Sequence, residues 1–195
     1  VYTFLSKDEN PNRKKLLFSL ALKDAKDLKA SVLEDHLNCE QGDLPEEIFR
    51  KDLLCPRIFL EELTPYRSMI REFFEEETKH SFAEQPERIL DYLKKNITFH
   101  AEEEYDTIMA TPVGVLTMKQ GSPLAQKILF VAICRSLNVA ARLNPVTLEP
   151  EYYHNGAFHS VETEAAVLEE ETESAVLALN AEDGSAWKYY QTWTI

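Results

Sequence analysis

Four polar side chains in the second half of the chain have the types needed for nucleophilic chemistry. Ser122 carries a hydroxyl, His154 and His159 carry imidazoles, and Glu162 carries a carboxylate. A serine hydroxyl becomes a useful nucleophile only when an adjacent base takes its proton, and a carboxylate commonly orients that base. One hypothesis is therefore a hydrolase in which Ser122 attacks, either histidine acts as the base, and Glu162 orients the imidazole.

Ser122 also has a purely structural interpretation. It lies between Gly121 and Pro123, and serine is a favoured N-cap whose hydroxyl accepts a hydrogen bond from an early backbone N–H group. Proline is preorganised for the first helical position. We therefore expect Ser122 to begin a helix, and we favour this role over that of a nucleophile.

The histidines and their aromatic neighbours are typical of a β-hairpin, in which such residues serve as surface or packing residues. The sequence separation of His154 and His159 predicts that they lie on opposite faces of a strand, so we expect no shared metal site. Tyr152, Tyr153 and Phe158 would suit ligand binding, although packing on a sheet is their alternative role.

The chain around Pro123 resembles the catalytic-helix signature of the transglutaminase-like superfamily. Residues 135–142, which read RSLNVAAR, are similar to the family segment Arg-x-Leu-Gly-Ile-Pro-Ala-Arg. Residues 111–116 resemble the lead-in to the catalytic helix. Residues 55–58 and 63–67 resemble a helix found before the core in many bacterial members.

The resemblance implies a papain-like core and, in active members, a cysteine nucleophile at the helix N-terminus. That cysteine lies twelve positions before the first arginine of the segment, and Pro123 stands twelve positions before Arg135. An active member uses this helix N-terminus to lower the thiol pKa and to offer backbone N–H groups to an oxyanion. Proline supplies neither group, so the resemblance implies a degenerate active site.

The histidine and aspartate of the family also lack clear counterparts. In one alignment, Gly156 stands where the family has the histidine of a His-Ala-Trp-like segment. In another, residues 155–162 match a later strand, and Glu162 takes the place of the aspartate. Either alignment breaks the triad, so we expect an inactive binding or scaffolding module with a peptide or glycan ligand. The residues expected to line its cleft are Ser122, Pro123, Tyr152, Tyr153 and Phe158.

Two alternatives stay open. The first is an amide hydrolase or acyl transferase of the same class, with Ser122 as a relocated nucleophile and His154 or His159 as its base. The second is a purely structural domain that joins flanking modules. A turnover lost in Ser122→Ala would favour the first, and a filled cleft without convergent polar groups would favour the second.

Helices are predicted before strands along the chain. Apolar residues at helical spacing predict helices over 12–28, 31–37, from 56 or 64 to 79, and 86–95. The run over 128–133 is apolar on every side, which is typical of a helix buried all round, and Asn138 is an acceptable left-handed cap after it. Strands are predicted near 139–147, 151–154, 157–162, 175–180 and 186–194, with Asn155-Gly156 as a turn and 163–173 as an acidic loop.

This order indicates an α+β fold. A helical N-terminal half over 1–105 precedes a core over 106–195, in which the resemblance places a buried helix on an antiparallel sheet. We expect a single domain over 1–195. Strand-like aromatic segments at both ends suggest a fragment of a larger bacterial protein with flanking domains.

Composition favours a soluble globular protein. A chain of 195 residues that is 44% hydrophobic can bury roughly 70% of its unfolded surface, without a disulfide or metal scaffold. No apolar run approaches the roughly 20 residues of a membrane helix, and the chain start resembles no targeting sequence, so no compartment is predicted.

The net charge, the acidic runs and the cysteine content bear on which partners, cofactors and disulfides are expected. The net charge of −13, with 34 acidic against 21 basic residues, argues against nucleic acid. The acidic runs lack the pattern of a calcium loop, and no motif predicts a cofactor. Three cysteines are typical of reduced thiols, although pairing of Cys39 with Cys55 stays open.

Overall fold

The structure is a computed structural model, and it describes residues 2–5, 10–99 and 110–161 of the chain. The helices before residue 100 are α1 (Tyr2–Leu5), α2 (Asn12–Ser19), α3 (Leu22–Asp27), α4 (Ala30–His36), α5 (Glu46–Ile48), a π-helix (Phe49–Leu54), α6 (Tyr66–Phe73), α7 (Glu76–Glu84) and α8 (Glu87–Asn96). The later elements are α9 (Pro112–Met118), α10 (Pro123–Ser136), β1 (Ala141–Leu143), β2 (Pro150–His154) and β3 (Ala157–Ser160).

Helix α10 lies at the centre of the described part of the fold. Its apolar run from Ile128 to Ile133 is buried on every side, as the sequence predicted. Side chains of α6, α8, α9, β1 and β2 pack around it. Each large apolar side chain buried here contributes about 1.5–3 kcal/mol, so this helix organises the core. Asn138 has a φ of 66° just after the helix, which confirms the predicted left-handed position.

The sheet is antiparallel throughout, with the strand order β1-β2-β3. The turn Asn155-Gly156 joins β2 to β3 with φ values of 49° and 87°, as a two-residue type I′ turn requires. That turn was predicted. Strand β1 is shorter than the predicted strand over 139–147, because Leu148 N donates to Asn144 O at 2.9 Å and closes a turn there.

Two hydrophobic clusters flank this sheet. Tyr152 belongs to the cluster around α10, whereas Tyr153 packs against a second cluster built from the N-terminal helices, the π-helix and Ala140. Neighbouring residues of one strand point to opposite faces, so both faces of β2 are partly covered. Helices packed on a small antiparallel sheet confirm the predicted α+β class.

Two helical predictions need correction, and one helix was not predicted. The predicted helix over 12–28 is broken because Leu20 and Ala21 are extended, with ψ values of 143° and 153°. The helix predicted to end at residue 79 is broken because Phe74 is extended, with a ψ of 138°, and Phe73 is left 43% exposed. The π-helix was not predicted, since its i to i+5 bonding has no simple sequence period. The helices predicted over 31–37 and 86–95 are confirmed as α4 and α8.

Several predictions lie outside the described residues. They concern the strands at 175–180 and 186–194, the acidic loop at 163–173, Glu162, and the boundary between residues 105 and 106. Within the described ranges, no helix is both long and apolar enough to cross a membrane.

Candidate functional site

Ser122 caps α10. Its Oγ accepts a hydrogen bond from the Ala125 backbone N–H at an N···O distance of 3.2 Å, which confirms the predicted N-cap role. The residue before it, Gly121, fits closely against α9, because a Cβ there would lie 2.8 Å from Val115 Cγ1. The start of α10 is therefore held by both a cap and a close backbone approach.

The N-terminus of α10 has few backbone donors to offer a ligand. Pro123, the first helical residue, has no N–H group. The N–H group of Ala125 binds the Ser122 hydroxyl, and that of Gln126 binds the Ser122 carbonyl at 2.9 Å. Three of the first four positions of α10 thus present no N–H group to a ligand, although helix N-termini commonly bind anions.

His154 and His159 lie on the same face of the β2–β3 hairpin. His159 pairs with Tyr152 in the sheet register, and its ring stacks on the Tyr152 ring at 5.6 Å. The two imidazole centroids are 6.2 Å apart, and His159 Nε2 lies 3.1 Å from the His154 carbonyl oxygen. The prediction that they lie on opposite faces was wrong, because the two-residue turn puts them on different strands.

The hairpin places both histidines beside the C-terminal end of α10. Tyr153 N donates to Ala140 O at 2.7 Å, and Ala141 O accepts from Arg135 Nε at 2.8 Å. Arg135 follows Ser122 by thirteen residues, which is about 20 Å along a helix that rises 1.5 Å per residue. The structure therefore does not bring Ser122 together with His154 or His159.

The aromatic residues predicted for the cleft lie on both faces of the sheet. Tyr152 is buried, and its O–H group donates to a carboxylate oxygen of Glu87. Burial, together with the Glu87 carboxylate, raises the pKa of Tyr152 to about 12. On the opposite face, the Tyr153 and Phe158 rings meet edge to face at 5.2 Å, and the Arg142 guanidinium lies 3.7 Å from the Phe158 centroid.

Arg135 has a positioning role that the sequence did not predict. Its side chain is 2% exposed, and its Nη1 donates to the carbonyl oxygens of Cys55 and Arg57 at 2.8 and 2.9 Å. Its Nε donates to Ala141 O. One guanidinium thus joins α10, β1 and the segment after the π-helix. The signal in the sequence was that Arg135 is the first arginine of the resembling segment.

His36 and Arg67 form a second buried polar contact that the sequence did not predict. Both side chains are fully buried, and Arg67 Nε donates to His36 Nδ1 at 3.0 Å. Burial and the nearby arginine charges hold the pKa of His36 well below its usual value. At neutral pH His36 is therefore an uncharged acceptor for Arg67.

The three cysteines are buried free thiols, so Cys39 and Cys55 are not paired. Cys39 Sγ contacts His36 O at 3.6 Å, and Cys55 Sγ contacts Ser19 O at 3.5 Å. Burial raises the pKa of both Cys39 and Cys134. These thiols therefore lack the accessibility of a reactive cysteine.

An open cavity of about 650 Å³ lies away from the predicted site residues. Its walls come from α3 and from the segment over 57–63. Asp24 and Arg57, which line it, pair with each other at 2.5 Å. Within the described ranges, no three His, Cys, Asp or Glu residues are grouped to hold a metal ion.

Comparison with known families gives one match. The family model described as the transglutaminase-like superfamily matches residues 67–188, which is more than half of the chain. The matched region begins in α6 and includes α10 and the described sheet. Searches of curated proteins and of solved structures gave no significant match.

Proposed function

This chain belongs to the transglutaminase-like superfamily, and we propose that its domain is a noncatalytic member that binds or scaffolds. The N-terminus of α10 is the observation that supports this function most directly. Pro123 stands where the resemblance places the nucleophile, and it has neither a thiol nor an N–H group. Ser122, its neighbour, uses its hydroxyl to cap the helix.

The placement of the histidines favours the same conclusion over a relocated hydrolase. A serine nucleophile needs a base within hydrogen-bond reach, at about 2.6–3.2 Å, although apo structures are often looser. His154 and His159 lie on the hairpin that packs beside the opposite end of α10, and that end is about 20 Å along the helix axis from Ser122. Loosening of an apo site does not bridge a separation of that size.

A peptide or a glycan is the class of ligand that we propose. The support is the hairpin face that carries Arg142, Tyr153 and Phe158, where two half-buried rings lie beside a guanidinium. Aromatic rings stack on sugar rings and on apolar side chains, and a guanidinium recognises carboxylates. Glu151 binds Arg142 Nε at 3.0 Å and fixes its orientation.

The catalytic part of the proposal is tested by turnover and by labelling. Purified protein is incubated with a panel of peptide amides and amine acceptors, and separately with a serine-directed fluorophosphonate under native conditions. We expect no amidase or acyl-transfer turnover and no adduct on Ser122. A turnover that disappears in Ser122→Ala but persists in Ser160→Ala, an exposed serine on β3, would overturn the proposal.

The binding part is tested by titration. Peptide and glycan fragments are added to the isotopically labelled protein, and chemical-shift changes are mapped by NMR. A ligand of the hairpin face should bind about tenfold more weakly to Phe158→Ala, a loss of about 1.4 kcal/mol. The control is Val146→Ala, whose side chain is 88% exposed outside this face. Equal losses in both variants would count against the hairpin face as the binding surface.

A further inference from the structure

Four neighbouring residues hold the buried side-chain polar atoms that lack a hydrogen-bond partner in the described part of the chain. These atoms are His36 Nε2, Thr64 Oγ1, Tyr66 Oη and Arg67 Nη1. The His36 and Tyr66 ring centroids are 4.6 Å apart, Arg67 Nε bonds to His36 Nδ1, and Tyr66 N donates to Thr64 O at 2.9 Å. In native structures most buried polar groups have a hydrogen-bond partner, so several unpaired groups at one place indicate that a partner is missing.

The unpaired atoms can all donate hydrogen bonds. Arg67 Nε donates to His36 Nδ1, so in the neutral imidazole the proton lies on Nε2. A guanidinium nitrogen such as Arg67 Nη1 can only donate. The hydroxyls of Thr64 and Tyr66 can each rotate to donate as well. An acceptor within reach of several of these atoms would therefore satisfy more than one of them.

The surrounding charge favours an acceptor that is negative. Arg67 is fully buried, and within the described ranges no carboxylate pairs with its guanidinium. The nearby carboxylate of Asp35 is occupied, because its oxygens accept from the backbone N–H groups of Arg67 and Ser68 at 2.7 and 3.0 Å. Arg71 and Arg135 add to the positive field around His36. A buried charge without a counter-ion is costly.

We propose that a small monovalent anion of the halide class, such as chloride, binds among His36, Thr64, Tyr66 and Arg67. The anion would accept from the unpaired donors and neutralise the buried guanidinium. It would join α4, which supplies His36, to the start of α6, which supplies Tyr66 and Arg67 and follows Thr64. An ordered water could also accept these bonds, but it would leave the charge of Arg67 uncompensated.

Anomalous diffraction locates such an anion directly. Crystals of the full chain grown in bromide instead of chloride should show an anomalous peak within hydrogen-bond reach of Arg67 Nη1 and His36 Nε2. Density there without an anomalous signal would identify a water and overturn the proposal. The absence of any density would overturn it as well.

Thermal unfolding tests whether the anion binds in solution. The melting temperature is compared in sodium chloride and in sodium gluconate at equal ionic strength. Chloride at several times its Kd should raise Tm by about 2–4 °C. Tyr66→Phe removes a donor that has no partner within the described chain, so its chloride response should be smaller. The control Tyr92→Phe, which removes a half-buried hydroxyl elsewhere, should respond as the wild type does.

The comparison of salts and the comparison of variants would each contradict a different part of the proposal. Equal melting temperatures of the wild type in chloride and gluconate would overturn binding in solution. A Tyr66→Phe response as large as that of the wild type would overturn the assignment of the anion to this cluster. If Tyr66→Phe does not fold, the wild-type bromide map still decides the question.

Discussion

Asn138 and Glu40, which are 98 positions apart, bind each other through both polar groups of the asparagine amide. Glu40 N donates to Asn138 Oδ1 at 3.0 Å, and Asn138 Nδ2 donates to Glu40 O at 3.2 Å. The side chain thus fastens the loop after α4 to the end of α10. Asn138 stands where the family segment has glycine, and its φ of 66° is the conformation that glycine would supply.

Substitutions at Asn138 should separate the backbone effect from the amide effect. Asn138→Gly keeps the left-handed conformation but loses two exposed hydrogen bonds, at a cost of about 1 kcal/mol. Asn138→Ala loses the same bonds and adds a left-handed penalty of about 1–2 kcal/mol. Urea unfolding measures the free energy of unfolding of both variants and of the wild type. If the alanine variant is as stable as the glycine variant, the backbone part of this explanation is wrong.

The cap at Ser122 should contribute to stability. Ser122→Ala removes the acceptor for Ala125 N and should lower the free energy of unfolding by about 1 kcal/mol. Ser122→Asp keeps an acceptor and adds a negative charge at a helix N-terminus, so it should be close to the wild type. Chemical unfolding of the three proteins checks this order. If Ser122→Ala is as stable as the wild type, the cap does not contribute to the free energy of unfolding.

Loss of the Arg135 guanidinium should destabilise the fold strongly. Arg135→Met leaves the carbonyls of Cys55, Arg57 and Ala141 without this buried donor, and we expect a loss of about 3 kcal/mol or more. The control is Arg88→Met, because the Arg88 side chain is exposed and bonds only Ser81 Oγ among the described contacts. Its stability should change by less than about 0.5 kcal/mol. Similar losses in both variants would contradict the positioning role.

His36 should make the protein less stable in mild acid. Burial, then the charges of Arg67, Arg135 and Arg71, lower its pKa, and only the Thr64 backbone opposes them. Below about pH 6.5 the unfolded state binds a proton that the folded state does not. The free energy of unfolding therefore falls as the pH falls below about 6.5.

The variant His36→Gln should remove this part of the pH dependence. The quantity measured is the change in unfolding free energy between neutral pH and mild acid, so a uniform loss of stability does not affect the result. His80→Gln is the control, since the His80 side chain is 76% exposed. A wild-type pH dependence in His36→Gln would show that another group is responsible.

Thiol labelling should distinguish the folded from the unfolded protein. All three cysteines are buried, and burial raises the pKa of Cys39 and Cys134, so few thiolates are available in the folded state. We expect slow reaction with a maleimide under native conditions and three adducts in denaturant, counted by mass spectrometry. Rapid native labelling of Cys134 would contradict the burial of α10.

The sequence alone was sufficient to predict features that depend on residues adjacent in the chain. The start of α10 was predicted because Ser122 and Pro123 have strong preferences for the first positions of a helix. The turn at Asn155-Gly156 was predicted because few other pairs accept two positive φ values. The inactive member expected from Pro123 depends on residue type and spacing, not on packing, and it stays a prediction.

Contacts between distant segments were decided by the tertiary structure. Residues such as His36 and Arg67, or Asn138 and Glu40, meet because separate helices pack together. The periodicity of the sequence within one helix does not predict which distant residue becomes the partner. The distance between Ser122 and the histidines follows from the strand register beside α10, which a sequence motif does not specify. Side-chain types and spacing therefore predicted several of the elements, while packing of those elements determined which polar groups lie close enough to interact.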